Sequence, residues 1–248
     1  MEKLQKILQQ KHFRKNDIIY LLSLDKNADQ ALLFHTADQL TESYFGKGVY
    51  LRGIIEFSNV CYRNCNYCGI RALNSKVQRY RMQTEEIIET AGKIKEAGIK
   101  TVVLQSGEDP ANTPEKIEEL IKKLKSEYDL AVTLSLGEQP YEVYERWKTA
   151  GADRYLLKFE TSDRELYQLL HPDCDYEERG RCLGDIRKTG YQLGSGFMTG
   201  LPGQSIEMLA DDLLMLASIE PDMAGIGPFI SHEQTPMAGA SNGDPLMS

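Results

Sequence analysis

Three cysteines crowd into eight residues, Cys61-Tyr62-Arg63-Asn64-Cys65-Asn66-Tyr67-Cys68. Thiolates this close can each take one iron of a cubane iron–sulfur cluster, and the fourth iron then has no protein ligand. An open metal position is what a chelating small molecule requires, by the logic that separates catalytic from structural zinc sites. Asn64, Asn66 and Gly69 favour a loop, and a loop can wrap a cluster. A structural zinc site is the alternative, and it needs a fourth ligand. The four histidines, His12, His35, His171 and His232, lie outside zinc-finger spacing, and Cys174 and Cys182 could serve only through a long-range contact. Both of those cysteines read as small buried side chains, with no role assigned.

The bulk composition suits such a site in a soluble globular protein. The 248 residues suffice for one substantial core, and 41% hydrophobic with 27% charged residues is ordinary for a globular protein. A net charge of −8 argues against a nucleic-acid partner. Five cysteines, three of them within eight residues, suggest ligation in a reducing compartment rather than a disulfide framework. The N-terminus has no apolar run of secretory type, and no run of about 18 apolar residues occurs, so a cytoplasmic protein with no membrane partner is expected.

A loop of ligands needs elements to hold it. Residues 1–46 read as a helical segment, with Ile18, Leu21, Leu22 and then Ala31, Leu32, Leu33 and Leu40 at helical spacing. Val49 to Phe57 reads as a strand that runs into the cysteine loop. Thereafter helices at 84–97, 114–127, 140–150, 176–189 and 205–218 alternate with strands at 101–105, 130–135, 154–160, 192–198 and 223–226. Thr84 reads as an N-cap, Pro114 as a first-turn residue, and Gly98, Gly151 and Gly190 as stops. Six strands separated by helices require parallel pairing with right-handed crossovers, in a closed or open barrel-like sheet. Gln105, Ser135, Glu160 and Thr199 fall at strand C-terminal ends, where such barrels place their chemistry. A helical segment over 1–46 packed on a barrel domain over 47–248 is the expected organisation.

Cys-x3-Cys-x-aromatic-Cys after a first strand resembles the signature of the radical S-adenosylmethionine (SAM) superfamily. The flanks Arg52-Gly53-Ile54-Ile55-Glu56-Phe57-Ser58-Asn59 and Cys68-Gly69-Ile70-Arg71 resemble the HydE family of [FeFe]-hydrogenase maturases. So do Leu104-Gln105-Ser106-Gly107-Glu108-Asp109, Thr133-Leu134-Ser135-Leu136-Gly137-Glu138, Gly200-Leu201-Pro202-Gly203-Gln204 and Gly225-Ile226-Gly227-Pro228-Phe229. Biotin synthase and methylornithine synthase share the general pattern, with a weaker match in these later segments.

The resemblance implies a radical SAM barrel of TIM type, a [4Fe–4S] cluster on Cys61, Cys65 and Cys68, and reductive cleavage of SAM. It puts Ser106, Gly107 and Glu108 near the methionine amine, Ser135 and Glu160 on polar parts of the cofactor, and Arg179 on the methionine carboxylate. Tyr67, Met223 and Ile226 would form the adenine pocket. The ordinary readings of these residues are a strand-to-helix turn, a Glu160–Arg179 ion pair and plain core. Arg52, Thr133 and Arg154 would hold a small anionic iron complex with cysteine-derived ligands inside the barrel, unless Arg154 pairs with Glu56 or Asp153. Other hydrogenase maturases and an electron donor such as ferredoxin or flavodoxin are the partners implied; no general acid or base is assigned. The family barrel has eight strands and this sequence supplies six, so a partial barrel of lower stability, with open strand edges, is expected. A biotin-synthase-like or methylornithine-synthase-like enzyme, or a non-catalytic cluster-binding fragment, remains as an alternative.

Overall fold

The computed structural model describes residues 2–247. Its strands are β1 (Gly53–Ser58), β2 (Thr101–Ser106), β3 (Ala131–Ser135), β4 (Arg154–Leu156), β5 (Gln192–Ser195), β6 (Met198–Thr199), β7 (Met223–Ala224) and β8 (Gly227–Pro228). Six of them form one sheet in the order β1-β2-β3-β4-β5-β7, every neighbouring pair parallel. β6 and β8 pair in a separate two-stranded ribbon.

Side-chain alternation sorts the sheet into two faces. Ile55, Leu104, Leu134, Tyr155 and Leu193 lie in register across β1 to β5. All five are buried in the main core with residues of the covering helices such as Ile87, Ile121, Trp147 and Ile186. Ile54, Val103, Thr133, Arg154 and Gln192 form the next register row, on the opposite face, which lines the lumen. Polar residues on that face therefore stand inside the partial barrel rather than under helices.

Helices α1 (Glu2–Leu8), α2 (Lys15–Leu22) and α3 (Asn27–Phe45) precede the sheet. The crossovers carry α4 (Thr84–Glu96), α5 (Pro114–Tyr128), α6 (Tyr141–Thr149), α7 (Arg164–Leu170), α8 (Tyr176–Lys188) and α9 (Ile206–Ile219). α2 packs on α9, where Lys15 pairs with Asp211 at 2.6 Å. Local sequence explains most helix starts. The Thr113 hydroxyl accepts from Lys116 N–H ahead of Pro114, and Asp163, Asp175 and Ser205 cap α7, α8 and α9 in the same way. At α4 the cap is Gln83 rather than Thr84, and the Gln83 N–H donates to Glu86 at 2.6 Å.

Four features depart from the periodicity reading. β1 begins at Gly53, and Val49, Tyr50 and Leu51 stand exposed ahead of it. β4 is only three residues long, ending at Leu156, and the chain regains only a single bridge, to Phe197, at Glu160, whose backbone is left-handed (φ 67°). The strand expected over 192–198 divides at Gly196, where a Cβ would collide with Gly225 O, so β5 and β6 join different sheets. α7 is an additional helix, in a stretch whose periodicity is too short to stand out.

Candidate functional site

The cysteine loop leaves the C-terminal end of β1 and is tied at both ends. Ser58 Oγ donates to Asp109 Oδ2 (2.7 Å), and Arg81 forms a two-pronged pair with the same carboxylate (2.7 and 3.0 Å). The Arg79 guanidinium donates to the carbonyls of Asn59 (2.6 Å), Ile70 (2.7 Å) and Arg71 (2.7 Å), so one side chain closes the loop on itself. Inside it, Ala72 N–H donates to Arg63 O at 2.8 Å. Cys61, Cys65 and Cys68 are half-buried free thiols. Burial pushes the Cys61 and Cys68 thiols up, and contact with the Cys174 thiol together with burial pushes Cys65 up. Such thiols need a bound cation to become thiolates.

The donor set fits an iron–sulfur cluster better than a single ion. Among the described residues no three His, Cys, Asp or Glu side chains converge on one metal position. A cubane does not need that, because each thiolate takes a different iron. Three free thiols in one loop, with the neighbouring glycine loop pressed against it, are the arrangement a cluster would occupy. A Cβ at Gly107 would stand 2.6 Å from Cys61 Cβ and collide with Val60 O, so only glycine admits this approach.

A buried ionic network backs the loop. Arg63 Nε donates to Glu108 (2.9 Å) and its Nη2 to Glu138 (2.8 Å). Arg179 Nε donates to the other Glu138 oxygen (2.6 Å), and its Nη1 donates to Lys158 O. Tyr62 Oη donates to Glu108 as well (2.9 Å). The Glu108 carboxylate is thus committed to the cysteine loop, which leaves the backbone around Ser106 and Gly107 as the polar surface at the end of β2. The Glu160–Arg179 ion pair that the sequence suggested is replaced by an Arg179–Glu138 pair. Glu160 lies 3.4 Å from Lys158 Nζ without hydrogen-bond geometry, and its Oε2 is buried and lacks a hydrogen-bond partner. The turn after Glu160 is anchored by Asp212, which accepts from Ser162 N–H, Ser162 Oγ (2.7 Å) and Thr161 Oγ1 (3.2 Å).

A third wall runs from the end of α7. Asn66 donates from its backbone to Leu170 O (2.8 Å) and from its amide to Leu169 O (2.7 Å), and Asn64 N–H donates to Asp173 (2.9 Å). His171 sits between these contacts, and burial, with Arg179 and Arg63 nearby, pushes its imidazole down to about 3. Tyr67 packs on Leu166, Leu170, Met198, Leu201 and Phe229. Ser135 ends β3 on the lumen row of Gln105. Ile226 packs against the main core.

Arg52, Arg154 and Met223 line a separate cavity of about 670 Å³ at the N-terminal ends of the strands. Arg154 Nε donates to Gln192, whereas its Nη1 is buried without a partner, as is the neighbouring Thr133 Oγ1. Neither Glu56 nor Asp153 pairs with Arg154; Asp153 is taken by Lys125 (3.2 Å) and Val132 N–H (2.7 Å). Arg63, Glu138, His171 and Asp212 were not singled out by the sequence. The paired Gly-Glu steps after β2 and β3, Gly107-Glu108 and Gly137-Glu138, were the one available signal for the network.

Parallel sheet, crossover helices and a cysteine loop after the first strand define a radical SAM protein: the profile of the Radical SAM superfamily matches residues 55–216, and the chain belongs to that superfamily. Within it the chain stands with the HydE maturases. It is 48% identical over 237 residues to the [FeFe] hydrogenase maturase subunit HydE of Thermotoga maritima, covering 96% of this chain and 68% of that protein. It is 31% identical over 235 residues to 3-methylornithine synthase of Methanosarcina acetivorans, covering 94% and 67%. The crystal structure of methylornithine synthase (PylB) superposes with a TM-score of 0.91 at 30% identity, over 99% of this chain and 73% of that one. The [FeFe]-hydrogenase maturase HydG of Carboxydothermus hydrogenoformans shares the fold, with a TM-score of 0.84 at 23% identity over 98% and 59%. The chain spans about two thirds of the length of these curated relatives. It is an enzyme of the radical SAM type, and its cofactors are a [4Fe–4S] cluster and SAM. No helix among the described residues is long and apolar enough to cross a membrane.

Proposed function

We propose that Cys61, Cys65 and Cys68 hold the cluster, that SAM binds beside it across the C-terminal ends of the strands, and that the chain acts in assembling the [FeFe]-hydrogenase cofactor. When bound, the cluster supplies the electron that cleaves SAM reductively. The chain's own residues bind and orient. Backbone groups of Ser106 and Gly107, with Glu108 fixing the loop, face the methionine amine. The Arg179 guanidinium, held by Glu138, presents charge to the methionine carboxylate. To the ribose hydroxyls Glu160 offers a buried oxygen that lacks a hydrogen bond, Ser135 adds a short polar contact, and Tyr67 and Ile226 shelter the adenine from water, with Met223 below them on the lumen row of Leu156 and Gly194. Arg52, Thr133 and Arg154 receive a small anionic iron complex with cysteine-derived ligands from the lumen side. Other maturases and a ferredoxin or flavodoxin are the expected partners, in the reducing cytoplasm where free thiols persist.

The observation that carries this proposal is the loop of three free thiols at the end of β1, against a glycine that admits no side chain. The buried Arg154 Nη1 and Thr133 Oγ1, both without a hydrogen-bond partner, support an anionic group on the substrate. Anaerobic reconstitution with iron and sulfide tests the first part. The parent is expected to take up about four irons per chain and to release 5′-deoxyadenosine from SAM under reduction, and Cys65→Ala to lose both. A Cys65→Ala protein with parental iron and absorbance would place the cluster elsewhere.

A further inference from the structure

The three cysteines are not equivalent in their surroundings. Cys65 alone meets an imidazole: its Sγ stands 3.2 Å from His171 Nδ1. His171 is 1% exposed and closes α7, with its backbone N–H on Tyr167 O at 2.8 Å. Its ring is clamped by Tyr167 (centroids 4.6 Å apart) and by the edge of Tyr67 (5.4 Å). The segment around it is fastened to the cysteine loop by Asn66 on Leu169 and Leu170 and by Asn64 on Asp173, so neither partner can drift away. Its other nitrogen, Nε2, is buried and has no hydrogen-bond partner.

These facts fix the direction of the hydrogen bond once Cys65 is a ligand. A metal-bound cysteine carries no proton, so Sγ can only accept, and Nδ1 must hold the ring proton. Nε2 is then a bare acceptor, and a buried unpaired acceptor is tolerated better than a buried unpaired N–H. A hydrogen bond to a cluster sulfur stabilises the more negative, reduced state and raises the reduction potential.

We propose that His171 is a positioning residue which donates Nδ1–H to the Cys65 thiolate and sets the potential at which the cluster gives up its electron. This rests on Cys61, Cys65 and Cys68 being the cluster ligands. The step it governs is a one-electron reduction, with dithionite as the reductant in the assay. His171 itself neither gains nor loses a proton.

The test is a potentiometric titration of the anaerobically reconstituted chain, read by the electron paramagnetic resonance signal of the reduced cluster. His171→Leu removes the donor and keeps an apolar filling. His171→Asn keeps an amide N–H near the position of Nδ1. His171→Leu is expected to take up parental iron and to lower the reduced-to-oxidised ratio at a fixed potential roughly tenfold, about 59 mV for a one-electron couple. His171→Asn is expected to restore most of that shift. Loss of the cluster in His171→Leu with retention in His171→Asn would equally assign the role to the N–H group. An unshifted His171→Leu, an equal shift in both variants, or loss of the cluster in both would overturn the proposal, because ring packing rather than the donor would then matter. A parent that assembles no cluster would instead overturn the ligand assignment.

Discussion

Glu160 carries a left-handed backbone, φ 67°, which costs a non-glycine residue roughly 1–3 kcal/mol where the surroundings enforce it. The surroundings do enforce it. Asp212 grips the next two residues, and the isolated bridge to Phe197 holds Glu160 from the other side. The result is a carboxylate oxygen that is buried and short of a hydrogen-bond partner beside the cysteine loop. A charge-assisted contact to a ligand hydroxyl satisfies it, on the order of 1.5–3 kcal/mol or roughly tenfold to a hundredfold in affinity. Glu160→Gln is therefore expected to weaken SAM binding by that factor in calorimetry, with iron content unchanged. Glu160→Gly should lose the same affinity while melting no lower than the parent, since glycine relaxes the backbone. Parental affinity in both variants would reduce Glu160 to a structural rim residue.

Between residues and fold, the loops after β2 and β3 and the start of α8 work as one unit through Arg63. Its fork bridges Glu108 and Glu138, whose side chains are 11% and 4% exposed, and Arg179 completes the chain of charges. Removing one member of a buried network leaves an uncompensated charge, a loss of about 3–5 kcal/mol. At roughly 2–4 °C per kcal/mol for a chain of this size, Arg63→Met should lower the melting temperature by on the order of 10 °C. Arg63→Lys should recover only part of it, because an ammonium cannot span both carboxylates in the plane of a guanidinium. A melting curve unchanged by Arg63→Met would show that water already screens the pair. This level was the least legible in the sequence. Helices α4, α5, α6, α8 and α9 announced themselves by periodicity and stops, because those signals are local. The cysteine spacing was equally local. Arg63 to Glu138 and Cys65 to His171 are contacts 75 and 106 residues apart, and no periodicity encodes them. Short β4 and the turn at Glu160 escaped for the same reason: a carboxylate four positions beyond a strand end gives no local hint that tertiary contacts will bend the chain there.

At the scale of the molecule, the sheet order leaves β1 and β7 with one neighbour each. Parallel sheets are ordinarily covered on both faces, and barrels have no free edge at all. Here Ile54, at the start of β1, is 55% exposed on the lumen face, and Val49, Tyr50 and Leu51 extend the apolar surface ahead of it. The end of β1 is met on its outer side by residues 80–82, where Met82 N–H donates to Phe57 O at 2.8 Å, so the backbone groups left outward are those at the start of the strand, beside that apolar strip, a combination that templates pairing with another chain. Two opposing tendencies meet in this region. α2 and α9 pack together and stabilise the far side of the sheet, whereas on the open side of β1 only the short 80–82 segment pairs, at Phe57 and Ser58. Association through β1 is therefore expected to grow with protein concentration, visible as a rising weight-average mass in light scattering. Ile54→Lys together with Leu51→Lys places charges along the strip without touching the register row Ile55, Leu104, Leu134 that carries the core. The double variant should shift the distribution toward monomer at an unchanged melting temperature and unchanged iron uptake. A parent that stays monodisperse and monomeric at high concentration would show that the six-stranded sheet shields its own edge, and the charged variant would then have nothing to correct.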